Sequence, residues 1–72
     1  MNVEGHEVKQ EHIDAAIERM KTGSFTFFDI QSTLRKAGLH EDACYRGADR
    51  LIQRERKAKS ISFKNKVWTP CL

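Results

Sequence analysis

The segment that decides the fold runs from Gly38 to Ala58 and reads GLHEDACYRGADRLIQRERKA. Its apolar stripe, at helical spacing, consists of Cys44, Ala48, Leu51, Ile52 and the stem of Glu55. Glu41 and Asp42 suit the positive N-terminal end of a helix dipole. The pattern predicts a helix that begins near residue 40 or 41 and ends near residue 58. Gly47 lies at the edge of the stripe and indicates a close approach to another helix.

Two shorter helices are predicted upstream of this segment. In residues 8–20 the apolar side chains fall close to a 3.6-residue period, and Gly23 just beyond them is a suitable stop, although no good N-cap marks the start. The tetrapeptide Thr26-Phe27-Phe28-Asp29 is typical of a capping box that opens the second helix, which ends at Gly38. Residues 24–25 are predicted to form a short piece of extended chain.

After the long helix the hydrophobic period changes to two. Residues 60–64 alternate polar and apolar side chains, as a half-buried strand does. Asn65-Lys66 suits a two-residue turn because Asn tolerates positive φ, and residues 67–69 return as a second strand that Pro70 ends. The sequence therefore predicts a C-terminal β-hairpin whose tip projects outward.

This hairpin register places Lys64 opposite Val67 and Phe63 opposite Trp68. The inner face of the hairpin is then predicted to carry Ile61, Phe63 and Trp68. The aromatic side chains assigned by their spacing to the core or its edge are Phe27, Phe28, Phe63 and Trp68. The spacing does not place Phe25, which, if exposed, would indicate a contact with another protein or a second copy of the chain.

Charge is distributed unevenly along the chain. Residues 1–45 carry five Lys and Arg against eight Asp and Glu, whereas residues 46–72 carry eight Lys and Arg against two Asp and Glu. The net charge of +3 thus divides into an acidic front half and a basic back half. A dipolar molecule of this kind is suited to present one face to a polyanion.

Together these elements resemble a winged helix-turn-helix domain. Gly38-Leu39 resembles the turn of that family, Ala43-Cys44 followed by Arg46 resembles its recognition helix, and residues 61–68 resemble its wing. His40 stands where the family usually has Ser or Thr. The resemblance implies a mostly α, α+β fold of three helices and a two-stranded wing. The predicted organisation is a flexible N-terminus at 1–7, one domain at 8–70 and a tail at 71–72.

The resemblance also implies binding to double-stranded DNA, as a transcriptional regulator or a protein of a mobile element such as a phage or plasmid. The third helix would enter the major groove and the basic wing would lie on the DNA backbone. The candidate DNA-binding residues are Asp42, Tyr45, Arg46, Asp49, Arg50, Gln53, Lys57, Lys64, Asn65 and Lys66. A homodimer is a further expectation, with the first helix or Phe25 as its contact.

Three alternatives stay open at this point. Arg46 and Arg50 could pair with Asp42 and Asp49 on an ordinary solvated face. The acids on the third helix could instead mark a winged helix that binds a protein partner without binding DNA. A metal or redox sensor would use His40 and Cys44, four residues apart.

Other function classes are disfavoured by size and composition. No run approaches the roughly 20 apolar residues that cross a bilayer, and the start lacks the features of a signal peptide, so a cytoplasmic protein without a membrane partner is expected. Cys44 and Cys71 are too few for a disulfide scaffold. The chain is short for a catalytic pocket, so no enzyme activity and no cofactor are predicted. The histidines are expected on the surface, with no metal site, since the ligands lack the usual spacing.

Overall fold

A computed structural model describes residues 2–71 of the chain. The elements, in chain order, are β1 (Asn2–Val3), β2 (His6–Glu7), α1 (Gln10–Lys21), α2 (Phe27–Lys36), α3 (Glu41–Lys57), β3 (Ile61–Lys64) and β4 (Val67–Pro70). The predicted fold class is confirmed: the protein is a mostly helical α+β structure of three helices followed by a two-stranded antiparallel hairpin. Within residues 2–71, no helix is both long enough and apolar enough to span a membrane.

Side chains that satisfy free backbone N–H groups set the start of α2 and of α3. The Thr26 N–H donates to Asp29 Oδ2 at 2.8 Å, and the Asp29 N–H donates to Thr26 Oγ1 at 3.3 Å, so the predicted capping box is confirmed. At α3 the imidazole of His40 takes the capping role, because its Nδ1 accepts the Asp42 N–H at 3.1 Å. Histidine therefore replaces the usual hydroxyl without loss of the cap.

The start of α1 uses a second histidine that the sequence analysis misassigned. The Lys9 N–H donates to Nδ1 of His12, three residues on, at 3.1 Å. His12 is buried, so the expectation that the histidines lie on the surface is wrong at this position. The physical reason is that its ring performs the backward half of a capping box, which holds it against the first turn.

The hydrophobic core lies where the three helices meet beneath the C-terminal hairpin. Its buried members include Ile13, Ala16 and Met20 from α1, Ile30 and Leu34 from α2, and Ala48, Leu51 and Ile52 from α3. Gly47 marks a close approach of α3 to α2 and to the turn after it, since a Cβ built on it would lie 3.3 Å from Leu34 Cδ1 and 3.4 Å from Leu39 Cδ2. The close helix–helix approach predicted at this glycine is confirmed.

The C-terminal hairpin has the predicted register. Phe63 pairs with Trp68 and Lys64 pairs with Val67, and β4 extends to Pro70, which lies opposite Ile61. The predicted extended residue before α2 joins this sheet, because Phe25 donates its N–H to the Trp68 carbonyl at 2.9 Å and accepts the Trp68 N–H at 2.8 Å. The Phe25 side chain is only 1% exposed, so it cannot serve as the dimer contact suggested from the sequence.

Two of the four aromatic side chains assigned to the core are exposed instead. Phe28 is 72% exposed because Phe27, Ile30 and Leu34 occupy the inner side of α2 and the second position of the helix points away from it. Phe63 is 57% exposed because it lies near the hairpin tip, where its ring is tilted against that of Trp68 at a centroid distance of 5.0 Å. Phe27 and Trp68 are partly buried against the core, as predicted.

A second, N-terminal hairpin was not predicted. In it Val3 pairs with His6 and Asn2 with Glu7, and the turn residues Glu4 and Gly5 both have positive φ, at 51° and 77°. The prediction of a flexible N-terminus at residues 1–7, outside the domain, is wrong at Val3, which is buried in the core. Strands of two residues are too short to show a period, which is why sequence reasoning missed them. Residues 1 and 72 lie outside the described residues.

Candidate nucleic-acid interface

The ten candidate residues lie on α3 and on the tip of the C-terminal hairpin. Nine of them are exposed and Gln53 is half-buried. The six buried residues of α3, which hold the opposite side of the helix against the core, are Ala43, Cys44, Gly47, Ala48, Leu51 and Ile52. Since packing occupies only that side, α3 presents a continuous polar face to solvent over its whole length.

Along the polar face of α3, basic side chains form one row and acidic side chains lie at its edge. Arg46, Arg50, Gln53 and Lys57 follow one another at i, i+4, i+7 and i+11, so they share a strip about 60° wide and about 16 Å long; we call these four residues the basic stripe. Asp42 and Asp49 lie along one edge of this stripe, with Tyr45 beyond them at 100° per residue. The acids therefore border the basic stripe along one edge, and Arg56, which donates to Gln53 Oε1 at 3.2 Å, lies on the far side of Asp49.

Arg46 is engaged by a partner that the sequence did not indicate. Its Nε lies 3.3 Å from Oε1 of Glu4, in the turn of the N-terminal hairpin, and both side chains remain about half exposed or more. Within residues 2–71, neither Arg46 nor Arg50 forms a salt bridge with Asp42 or Asp49, so the pairing alternative considered from the sequence is wrong for these groups. Arg50 keeps its guanidinium directed to solvent.

The tip of the C-terminal hairpin forms a tight turn. Asn65 and Lys66 both have positive φ, at 51° and 67°, as a two-residue turn of the I′ type requires. This geometry confirms the turn predicted from Asn65. Lys64, Asn65 and Lys66 are all exposed, and no acidic side chain pairs with either lysine in the part of the chain that the structure describes.

The N-terminal hairpin lies against the first turn of α3. Its His6 ring stacks on the ring of His40, with a centroid distance of 4.0 Å and an angle of 9° between the planes. Asp42 Oδ2 lies 3.8 Å from His40 Nδ1. This grouping of residues from two distant segments could not be found by spacing, because 34 positions of chain separate His6 from His40.

Beyond the acids, α3 carries an exposed tyrosine that reaches the start of α2. Tyr45 is 61% exposed, and its ring meets that of Phe27 edge to face at 5.0 Å. Exposed Phe28 follows Phe27 as the second residue of α2. The molecule therefore presents two different surfaces around α3, one basic and one aromatic with acidic neighbours.

Cys44 takes no part in either surface. Its thiol is buried and donates to the carbonyls of Leu39 at 3.6 Å and His40 at 3.4 Å. Burial raises the pKa of the Cys44 thiol; the nearby Arg35 charge opposes this effect and Glu41 adds to it. A buried, protonated thiol that bonds to backbone carbonyls is a poor ligand and a poor nucleophile, which disfavours the sensor built on His40 and Cys44.

No protein-family model, curated protein or solved structure matches this chain.

Proposed function

We propose that this chain is a winged-helix protein that binds double-stranded DNA, with α3 in the major groove and the hairpin tip on the DNA backbone. The basic stripe carries this proposal, because it is a solvent-facing row of three cations and an amide on a helix whose other side is fully packed. The major groove accommodates one α-helix. Lys64 and Lys66 on a rigid turn supply a second positive contact.

Each residue of α3 then has a chemical role that suits its type. Arg50 and Arg46 pair with the O6 and N7 acceptors of guanine, Gln53 pairs with adenine, and Asp49 accepts from the amino group of cytosine. Lys57 and the tip lysines neutralise phosphates and hold the register without reading sequence. The acids beside the basic stripe make binding selective rather than strong, since they repel phosphates wherever no cytosine donor faces them.

The small size of the domain bears on its mode of action. A single module of this kind buries about 600–1,000 Å² on DNA, which limits affinity and specificity. Two copies on adjacent half-sites would compensate, and with Phe25 buried the exposed side of α1 is the candidate contact. The proposed role of this small, sequence-selective DNA-binding protein is to regulate transcription or to act on the DNA of a mobile element.

Selection of bound sequences from a random duplex pool tests the proposal directly. We expect enrichment of one short motif containing G·C pairs opposite the arginines, and a dissociation constant that rises steeply with salt in fluorescence anisotropy. A pool without enrichment, together with no anisotropy change at 50 mM salt, would exclude DNA binding.

The hairpin tip gives a prediction that is separable from sequence readout. Replacing Lys64 and Lys66 with Ala is expected to weaken binding to every duplex by a similar factor. The slope of log K against log salt should fall by about 1.8, because two phosphate contacts are lost at about 0.9 each. An unchanged slope in anisotropy titrations between 50 and 200 mM salt would show that the tip does not touch DNA.

The salt bridge between Glu4 and Arg46 gives another testable prediction. Glu4→Gln frees the guanidinium, and since an exposed pair contributes about 0.2–1 kcal/mol, DNA affinity is expected to rise by up to about fivefold. Glu7→Gln is the matched control, because Glu7 lies in the same hairpin, is exposed and forms no salt bridge within the described residues. An equal gain in both variants would assign the effect to net charge rather than to Arg46.

A second candidate function rests on the aromatic surface. Phe28 and Tyr45 are exposed. Tyr45 neighbours Asp42 and Asp49 on α3, and Phe28 lies near Glu41. This composition is more typical of a protein contact than of a phosphate contact. In this function the same fold binds a protein partner and not DNA. Phe28→Ser separates the two, since it lies outside the basic stripe: it leaves duplex binding unchanged in the first function and abolishes self-association or partner binding in the second.

A further inference from the structure

We propose that His6, His40 and Asp42 form a binding site for one divalent transition-metal ion of the zinc and nickel type, where the N-terminal hairpin meets α3. The three side chains come from two segments of the chain and offer two nitrogens and one oxygen. Their ligand atoms all lie within 4.8 Å of one another. The sequence analysis predicted no metal site, because this set exists only after the hairpin has folded against the helix.

To hold an ion, the two stacked rings must tilt apart, because nearly parallel rings at 4.0 Å direct their nitrogen lone pairs along parallel planes. Two ligands on one tetrahedral zinc lie about 3.3 Å apart, since zinc–nitrogen bonds are about 2.0–2.1 Å long. His40 Nδ1 and Asp42 Oδ2 are already 3.8 Å apart. His40 and Asp42 are exposed and His6 is half-buried. Rotation about their side-chain bonds can therefore close the remaining distance once the ring stack and the N-cap hydrogen bond of His40 open.

The hydrogen bonds identify the nitrogen of His40 that takes the metal. Nδ1 accepts the backbone N–H of Asp42, so it carries a lone pair and the neutral ring holds its proton on Nε2. An ion that binds Nδ1 uses this lone pair and turns the Asp42 N–H toward solvent. Metal binding at this site is therefore expected to shift the Asp42 amide resonance strongly.

The surrounding charges favour a cation here. Glu41 and Asp42 in the first turn of α3 offset the positive end of the helix dipole. Arg46, one turn along α3 from Asp42, pairs with Glu4 at 3.3 Å. Imidazole ligands select zinc, nickel and copper, whereas magnesium and calcium prefer oxygen ligands, so the donor set is selective. The bound ion would tie β2 to α3, independently of any DNA binding.

Isothermal titration of the full chain with Zn²⁺ and Ni²⁺, and with Mg²⁺ as the control, tests the site. We expect one equivalent of Zn²⁺ or Ni²⁺ to bind and Mg²⁺ not to bind. In two-dimensional NMR with Zn²⁺, the His6 and His40 ring signals and the Asp42 amide should move. The ring of buried His12 should not move and serves as the internal reference.

Variants that keep the local structure separate ligation from folding. His40→Asn retains a side chain suited to the N-cap, and His6→Phe retains a ring to stack on His40; each is expected to weaken Zn²⁺ binding at least tenfold while the circular dichroism spectrum stays unchanged. Three results would each overturn the proposal. They are wild-type binding of less than one equivalent of Zn²⁺, an unchanged Zn²⁺ affinity in both variants, and zinc-induced shifts confined to other residues.

Discussion

Replacing Phe25 with alanine is expected to leave a large fraction of the chain unfolded at 25 °C. The side chain is 1% exposed and is the largest fully buried one in the described structure. Truncating a buried Phe to Ala costs about 3–5 kcal/mol. A single core in a domain this small rarely supplies more than about 3–5 kcal/mol of stability. The loss therefore equals most of the free energy of unfolding, and urea denaturation followed by circular dichroism measures it.

Phe28→Ala is the matched control, because it makes the same chemical change three residues away on an exposed position. Its free energy of unfolding should change by about 0.5 kcal/mol or less. Equal destabilisation by the two variants would contradict the assignment of Phe25 to the core. A Phe25→Ala protein as stable as the wild type would likewise show that the Phe25 side chain does not fill the core.

How far the fold could be predicted depended on the length of each pattern. Three features were predicted because each has a local signal that spans several residues. They are the apolar stripe of the 17-residue helix α3, the capping box of α2 and the alternation in the C-terminal hairpin. The N-terminal hairpin was missed because its strands have two residues each. The burial of Phe25 could not be foreseen, because it depends on which neighbours the tertiary fold supplies. The exposure of Phe28 does follow from helical spacing, since the residue lies off the side of α2 that the core occupies.

The candidate site divides in the same way. The exposed face of α3 was predicted correctly as a set, because helical periodicity separates buried from exposed positions without further information. The partner of Arg46 was not predicted, since Glu4 belongs to a segment 42 residues away in the sequence. The His6, His40 and Asp42 grouping had no local signal at all. Residue spacing does not predict the interactions between segments that lie far apart in the sequence.

Loss of the two arginines on the basic stripe is expected to have the largest effect on DNA binding. Arg46→Ala combined with Arg50→Ala should weaken binding to the selected duplex by about 2–6 kcal/mol, because each guanidinium on a guanine contributes about 1–3 kcal/mol. Binding to unrelated duplexes should weaken much less, so the ratio between specific and non-specific affinity falls. Anisotropy titrations with the selected and a scrambled duplex, at one fixed salt concentration, measure this ratio.

A charge-matched control decides whether the effect belongs to α3. Lys9→Ala combined with Lys21→Ala also removes two positive charges, but from the two ends of α1. If the chain binds through general attraction to its net charge, both double variants lose affinity equally and the specificity ratio stays constant. If α3 contacts base edges, only the arginine variant shows a lower ratio of specific to non-specific affinity. Retention of both affinity and ratio in the arginine variant would contradict a role for α3 in the groove, and would leave the aromatic surface around Tyr45 as the functional face.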